Sequence, residues 1–282
     1  MKVGLTLTTF HQGLVRKISV NGLILILALF ALSGCDLQRN MLYYPSSYLP
    51  SQAELAANSI QFWPSGSNDY RGFVSTVPAA AAKGTIVVFH GNAGTAADRT
   101  YYVSALAALG YRVILAEYPG YGGRKGELGE VPFVRDAKET LRIASEQYGA
   151  PIILLGESLG CGVAAAAVKD LPVRIDAMIL ITPWDTLLSV ARDHFPWLPV
   201  RLFLRDTYDT IGDLKQYRGR IALAGAERDD IIPLRHAQAL FASLPGDKKM
   251  WTIRGAGHNT WPEMVDLAWW KEIADFIERK DT

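Results

Sequence analysis

The stretch PIILLGESLGCGVAAAAVK, Pro151 to Lys169, decides how this chain is read. Its first half is an unbroken aliphatic run, the pattern of a strand buried on both faces. Its second half is alanine-rich and suits a helix. Between them Gly156, Ser158 and Gly160 spell G-x-S-x-G. On a strand-to-helix turn such a serine projects its hydroxyl beyond the sheet, and the N–H groups opening the helix face developing negative charge. The flanking glycines are expected to let the backbone turn sharply. The same residues fit a rival pattern, because Gly160, Gly162 and Ala165 spell G-x-G-x-x-A, which cradles a dinucleotide pyrophosphate. That reading needs an acid at the end of the next strand. Asp176 instead lies just before its strand, so the cofactor reading fails.

Outward from this unit the chain alternates. GTIVVFHG, YRVILAEY, AMILIT, RIALAG and KMWTIR are further strand candidates, preceded by shorter ones at Ile60–Trp63 and Arg71–Thr76. Helical spacing predicts helices over Asp98–Leu109, Glu130–Tyr148, Leu159–Lys169, Leu234–Leu244 and Glu263–Arg279. Alternation of this kind argues for a mostly parallel sheet covered by helices on both faces. One segment breaks the rhythm: after the sixth strand, residues 184–217 insert apolar and aromatic residues among prolines, a length that needs structure of its own. It is expected to form a small helical cap, with Phe195, Trp197 and Phe203 lining an apolar entrance to the Ser158 site.

A nucleophilic serine needs a base. Of the five histidines, His11 lies near the N-terminus, His194 in the insertion and His236 in a helix. His90 ends a strand, and His258 follows the last strand in GAGHN, after Ser158 in chain order. The order Ser, acid, His favours His258. The acid should lie between them at a strand end, where GAERDDIIP offers Glu227, Asp229 and Asp230. HGNAG, His90 to Gly94, lets backbone N–H groups approach a substrate oxygen closely and pair with that of Leu159. The chain has no H-E-x-x-H and no second cysteine near Cys161, so no metal is implied. Cys161 reads as a buried thiol.

The N-terminus is different in kind. Lys2, Arg16 and Lys17 precede the apolar run Leu23–Leu32, followed by Ser33, Gly34 and Cys35. The run is shorter than the roughly 20 residues that span a bilayer, so residues 1–34 read as a secretory signal. Residues 35–54 then read as a tether into a domain spanning 55–282. The whole chain has 282 residues and a formal net charge of +1, which suits one α/β domain and excludes a basic nucleic-acid surface.

LSGC at Leu32–Cys35 resembles a bacterial lipobox, which implies lipid on Cys35, and Asp36 beside it resembles a signal for retention at the periplasmic face of the inner membrane. HGNAG, EYPGYGGRKG, GESLGCG, HFPWLPVRLFLRDTYDT, DDIIP and GAGHN together resemble the α/β-hydrolase superfamily, in its Bem46-like and ABHD13-like branch, over about residues 55–280. The chain departs mildly at Pro119, where relatives often carry arginine. The resemblance implies Ser158 as nucleophile, His258 as base, Asp229 as acid because it stands four residues before Pro233, and Asn92 and Leu159 as oxyanion-hole donors. It further implies a membrane-anchored serine hydrolase acting on an acyl or other small-molecule substrate, with no cofactor. The alternatives are a lipoprotein that keeps the fold only for binding, and a serine aminopeptidase-like peptidase.

Overall fold

In the computed structural model, residues 38–76 and 82–279 are described. The signal segment 1–34 and the expected lipidation site Cys35 lie outside them. Eight strands form the main sheet: β1 Ile60–Trp63, β2 Gly72–Ser75, β3 Thr85–Phe89, β4 Arg112–Ala116, β5 Ile152–Glu157, β6 Ala177–Ile181, β7 Arg220–Ala226 and β8 Lys248–Ile253. Their spatial order is β8-β7-β6-β5-β3-β4-β2-β1. Pairing is parallel from β8 to β4 and antiparallel at β4–β2 and β2–β1. β3, β5 and β6 are buried at every position, which is why their sequences show apolar runs rather than alternation.

The principal helices cover both faces. α1 is Gln52–Ala57, α2 Thr100–Ala108, α3 Glu130–Tyr148 and α4 Leu159–Val168; α5 Leu187–His194 and α6 Thr210–Leu214 belong to the insertion; α7 is Leu234–Ser243 and α8 Leu267–Glu278. One core joins α3, α4 and the insertion to one face of the sheet through Phe133, Leu141, Val163, Trp184 and Tyr208. The other joins α2 and α8 to the opposite face through Tyr102, Leu106, Trp270 and Ile273. Each apolar face is thereby removed from water, the dominant favourable contribution to folding.

The insertion after β6 does form short helices, but its aromatic residues are divided between two environments. Trp184, Leu187, Val190 and Tyr208 are buried, whereas Trp197 is 78% and Phe203 41% exposed. Phe195, the third residue expected at an entrance, is half-buried.

The segment expected to be a tether joins the domain well before residue 55. Residues 38–42 are helical, Tyr43 is buried, and Tyr44–Pro45 pair in parallel with Ala93–Gly94. Ser51 caps α1 in a reciprocal arrangement with Glu54, satisfying two backbone donors at once. Among the described residues, no helix is long and apolar enough to cross a membrane.

Candidate active site

Ser158 occupies the one-residue bend between β5 and α4, with φ 52° and ψ −114°. For a non-glycine residue this conformation stores about 1–3 kcal/mol of strain, sustained by the packed strand and helix on either side. The glycines serve another purpose than the expected one. Neither Gly156 nor Gly160 has a positive φ. A Cβ at Gly156 would stand 2.6 Å from the Gly160 carbonyl oxygen, and one at Gly160 would run into the Phe89 carbonyl. They let α4 press against β5 and β3, while the serine itself carries the turn. Gly162, from the rival dinucleotide pattern, makes room for the Tyr208 ring.

Three strand ends converge here. His258, after β8, places Nε2 3.0 Å from Ser158 Oγ and Nδ1 2.8 Å from Asp229 Oδ2. Asp229, after β7, can only accept, so Nδ1–H donates to it and Nε2 is left to accept from the serine hydroxyl. The other oxygen, Asp229 Oδ1, accepts from the N–H groups of Ile231 and Ile232 at 3.0 and 2.7 Å. This distinguishes the three candidate acids: Asp230 is exposed, and Glu227 accepts from Gly255 N–H instead. Of the two isoleucines, Ile232 is buried and Ile231 is 43% exposed. Because both their N–H groups turn toward one carboxylate oxygen, the loop is tightly bent and their side chains diverge.

Leu159 directly follows Ser158, and Asn92 lies in the loop whose Gly91 approaches the serine. Leu159 opens α4, so its N–H has no intrahelical acceptor. The Asn92 carbonyl accepts from Tyr44 N–H and the Tyr121 hydroxyl, and its side-chain amide donates to the Leu42 carbonyl. The N-terminal segment thus clamps this loop. A Cβ at Gly91 would stand 3.7 Å from Ser158 Cβ, an ordinary contact, and 3.0 Å from Glu157 Oε1, so a side chain there would crowd the Glu157 carboxylate.

Sequence reasoning missed the groups beneath. Glu157 accepts at Oε1 from Arg99 Nε and Nη2 at 3.2 and 3.1 Å, and at Oε2 from the Tyr101 and Tyr102 hydroxyls at 2.6 and 2.9 Å. Burial opposes its ionisation, yet the Arg99 charge and these hydrogen bonds outweigh burial and hold the carboxyl below its usual range. His90 contacts the Gly91 carbonyl through Nδ1 and buried Glu117 through Nε2, away from Ser158. Glu117 also accepts from Ala96 N–H. None of these pairs has a diagnostic spacing, and the only hint was a charged residue beside the serine. Cys161 is buried with Sγ 3.2 Å from the carbonyl oxygens of Gly156 and Ile181, and burial pushes its thiol well up.

His236, placed on a helix by its spacing, has partners in the insertion. Nδ1 lies 2.9 Å from Asp185 and Nε2 2.6 Å from Asp193. His194 contacts the Ile231 carbonyl at 2.8 Å, so the insertion touches the loop that carries Asp229.

The family described as serine aminopeptidase, S33, matches residues 80–198, from β3 through the elbow into the insertion. The chain is 31% identical to an uncharacterized protein of Mycobacterium tuberculosis, Rv2307c, over 81% of this chain and 83% of that one. It is 24% identical to the alpha/beta hydrolase domain-containing protein WAV2 of Arabidopsis thaliana, over 86% and 88% of the two chains. Among solved structures, an esterase of Pyrococcus furiosus, Pf2001, shares the fold with a TM-score of 0.63 at 16% identity, over 83% of this chain and 98% of that one.

Proposed function

The chain belongs to the α/β-hydrolase superfamily, and we propose that within it this protein is a membrane-anchored serine hydrolase of the Bem46-like branch, cleaving an ester, thioester or amide through an acyl-enzyme on Ser158. The observation that carries this reading is the continuous hydrogen-bond chain Ser158–His258–Asp229.

His258 Nε2 takes the serine proton as Oγ attacks the substrate carbonyl. Asp229 holds the imidazole in the tautomer that leaves Nε2 basic, and stabilises the imidazolium once it forms. Its other oxygen is held in place by the Ile231 and Ile232 N–H groups. The tetrahedral oxyanion meets the N–H groups of Leu159 and Asn92, each such donor contributing about 3 kcal/mol in comparable sites. His258 then gives its proton to the leaving group, and water, activated by the same nitrogen, releases the acyl product. Strain at Ser158 fixes Oγ before substrate arrives, so little orientational freedom is lost at the attack.

The family description favours a second reading, an aminopeptidase. Such an enzyme needs a free carboxylate near the serine to hold a substrate ammonium. Glu157, the acid adjoining Ser158, is instead saturated by Arg99, Tyr101 and Tyr102. Acyl esters and thioesters need no such anchor and fit the site better.

Labelling by a fluorophosphonate probe tests the chemistry. Wild-type protein should label and Ser158→Ala should not; a folded wild type that does not label would instead favour a non-catalytic binding role. The anchor reading places lipid on Cys35 and the domain at the periplasmic face of the inner membrane. Metabolic incorporation of palmitate, lost in Cys35→Ser, tests it, and a soluble product without lipid would overturn it.

A further inference from the structure

The N-terminal segment and the tip of the insertion share one surface. Gln38 Oε1 accepts from the N–H groups of Arg205 and Asp206 at 2.7 and 3.2 Å, and its Nε2 donates to the Asp206 carbonyl at 2.9 Å. The Tyr43 hydroxyl donates to Asp206 Oδ2 at 2.7 Å. In the two segments that meet here, 38–45 and 195–206, Met41 is 48%, Tyr44 54%, Trp197 78%, Leu202 79% and Phe203 41% exposed. Single exposed apolar side chains are ordinary, but a group of large ones in neighbouring segments marks an interaction surface. The insertion tip FPWLPVRLFLR, 195–205, adds exposed Arg201 and Arg205 and contains no acid. Aromatic rings, leucine and arginine on one surface are the composition of a membrane interface: rings settle at headgroup level, and guanidinium groups reach lipid phosphates.

Where the chain leads from this surface fixes the occupant. Upstream of Gln38, Cys35 is three residues away and the apolar run Leu23–Leu32 ends six residues away. At about 3.6 Å per residue at most, Cys35 lies within about 11 Å of Gln38 and Leu32 within about 22 Å. Whichever of the two enters the bilayer, the surface around Gln38 is the part of the domain brought against it. That surface also borders the reaction centre, since Tyr44 pairs with the Asn92 loop and His194 touches the Asp229 loop. We propose that the face carrying Met41, Tyr44, Trp197, Leu202 and Phe203 docks on the lipid bilayer that holds the N-terminus, turning the rim of the Ser158 site toward the lipid. The proposal rests on the reading of the N-terminus as a membrane anchor, and not on the chemistry of Ser158.

Trp197 supplies the test. Of the seven tryptophans, Trp63, Trp184, Trp251, Trp261 and Trp270 are buried, Trp269 is partly buried and Trp197 is exposed. The full-length protein is reconstituted into phosphatidylcholine–phosphatidylglycerol vesicles whose acyl chains carry bromine. The bromines should quench part of the emission, that part should resist acrylamide, and Trp197→Phe should remove most of the lipid quenching. Arg201→Glu should reduce it. Vesicle-bound protein whose Trp197 is quenched by acrylamide and not by bromine overturns the docking while leaving the anchor intact. Protection from both quenchers means that a second copy or another protein covers the face, and overturns it equally. Failure to float with vesicles overturns anchor and docking together, whereas fluorophosphonate labelling reports on Ser158 independently of all these outcomes.

Discussion

His258 and His236 each sit, like His90, between two oxygen-bearing partners, and the partners decide what each can do. His258 has a carboxylate at one nitrogen and a hydroxyl at the other. One nitrogen is held protonated, and the other keeps a lone pair directed at a group that can lose a proton. His236 has a carboxylate at each nitrogen, Asp185 and Asp193. With two acceptors to satisfy, its ring serves best as an imidazolium with no lone pair to offer. Its pKa is raised, first by the Asp185 hydrogen bond against the opposition of burial. The same contacts help hold Asp185 and Asp193 below their usual range, although burial opposes this for both and Arg235 contributes ahead of His236 at Asp193. His236 is held by carboxylates on both sides as a clamp between α7 and the insertion; His258 has the arrangement of the proposed base. A neighbouring carboxylate alone does not distinguish them, and the identity of the second partner does.

The comparison breaks most sharply at the acids. Asp229→Asn should reduce turnover by up to about 10⁴, because the amide can hold the imidazole in the wrong tautomer, and should leave the fold intact. Asp230→Asn, at an exposed position, should change turnover little. Steady-state hydrolysis of a p-nitrophenyl ester checks both, and the opposite ranking would move the acid to Asp230. A smaller effect, on stability rather than rate, is expected where the acid's partner is an arginine. Glu157→Gln leaves the Arg99 guanidinium in a largely buried site with only the longer 4.0 Å contact to Asp98, and should cost about 3 kcal/mol in urea unfolding. His236→Gln should cost least, about 1 kcal/mol, because Asp193 is a third exposed and water screens the pair. Since the folded pKa of His236 lies above its unfolded value near 6.5, this contribution is full below pH 6.5 and is lost as pH rises through the folded value. The stability gap between wild type and variant should therefore close on the alkaline side, and a gap independent of pH would show that His236 acts by packing alone.

The sheet was legible because its inner strands are buried on both faces, so each appears as an uninterrupted apolar run with a turn at either end. Ser158 and His258 were legible because their places, at a strand-to-helix bend and after the last strand, follow from chain order. Asp229 was not separable from Glu227 and Asp230 by local physics, because the discriminating contacts are its bonds to Ile231 N–H, Ile232 N–H and His258, which no pattern encodes. Arg99, Glu117 and Glu157 were illegible for a related reason: ion pairs and hydrogen bonds between distant residues leave no period. The segment 35–54 looked like a tether because Gln38 and Tyr44 attach through polar and main-chain contacts and Tyr43 through a single buried ring against Phe133, and isolated contacts of this kind leave no amphipathic period.

If Ser158 and His258 act as proposed, the attachment of His258 behind β8 also governs when the molecule first becomes reactive. Ser158 and His258 are 100 residues apart, and β8 is an edge strand paired only to β7. Contacts so distant in sequence form late, after the cost of closing the intervening loop has been met. On the proposed chemistry, a nascent or partly unfolded chain has Ser158 with no base beside it, and stays inert until its C-terminal quarter has added the last strand. If the chain crosses a membrane unfolded on its way to its anchor, it cannot attack acyl groups in the compartment where it is made.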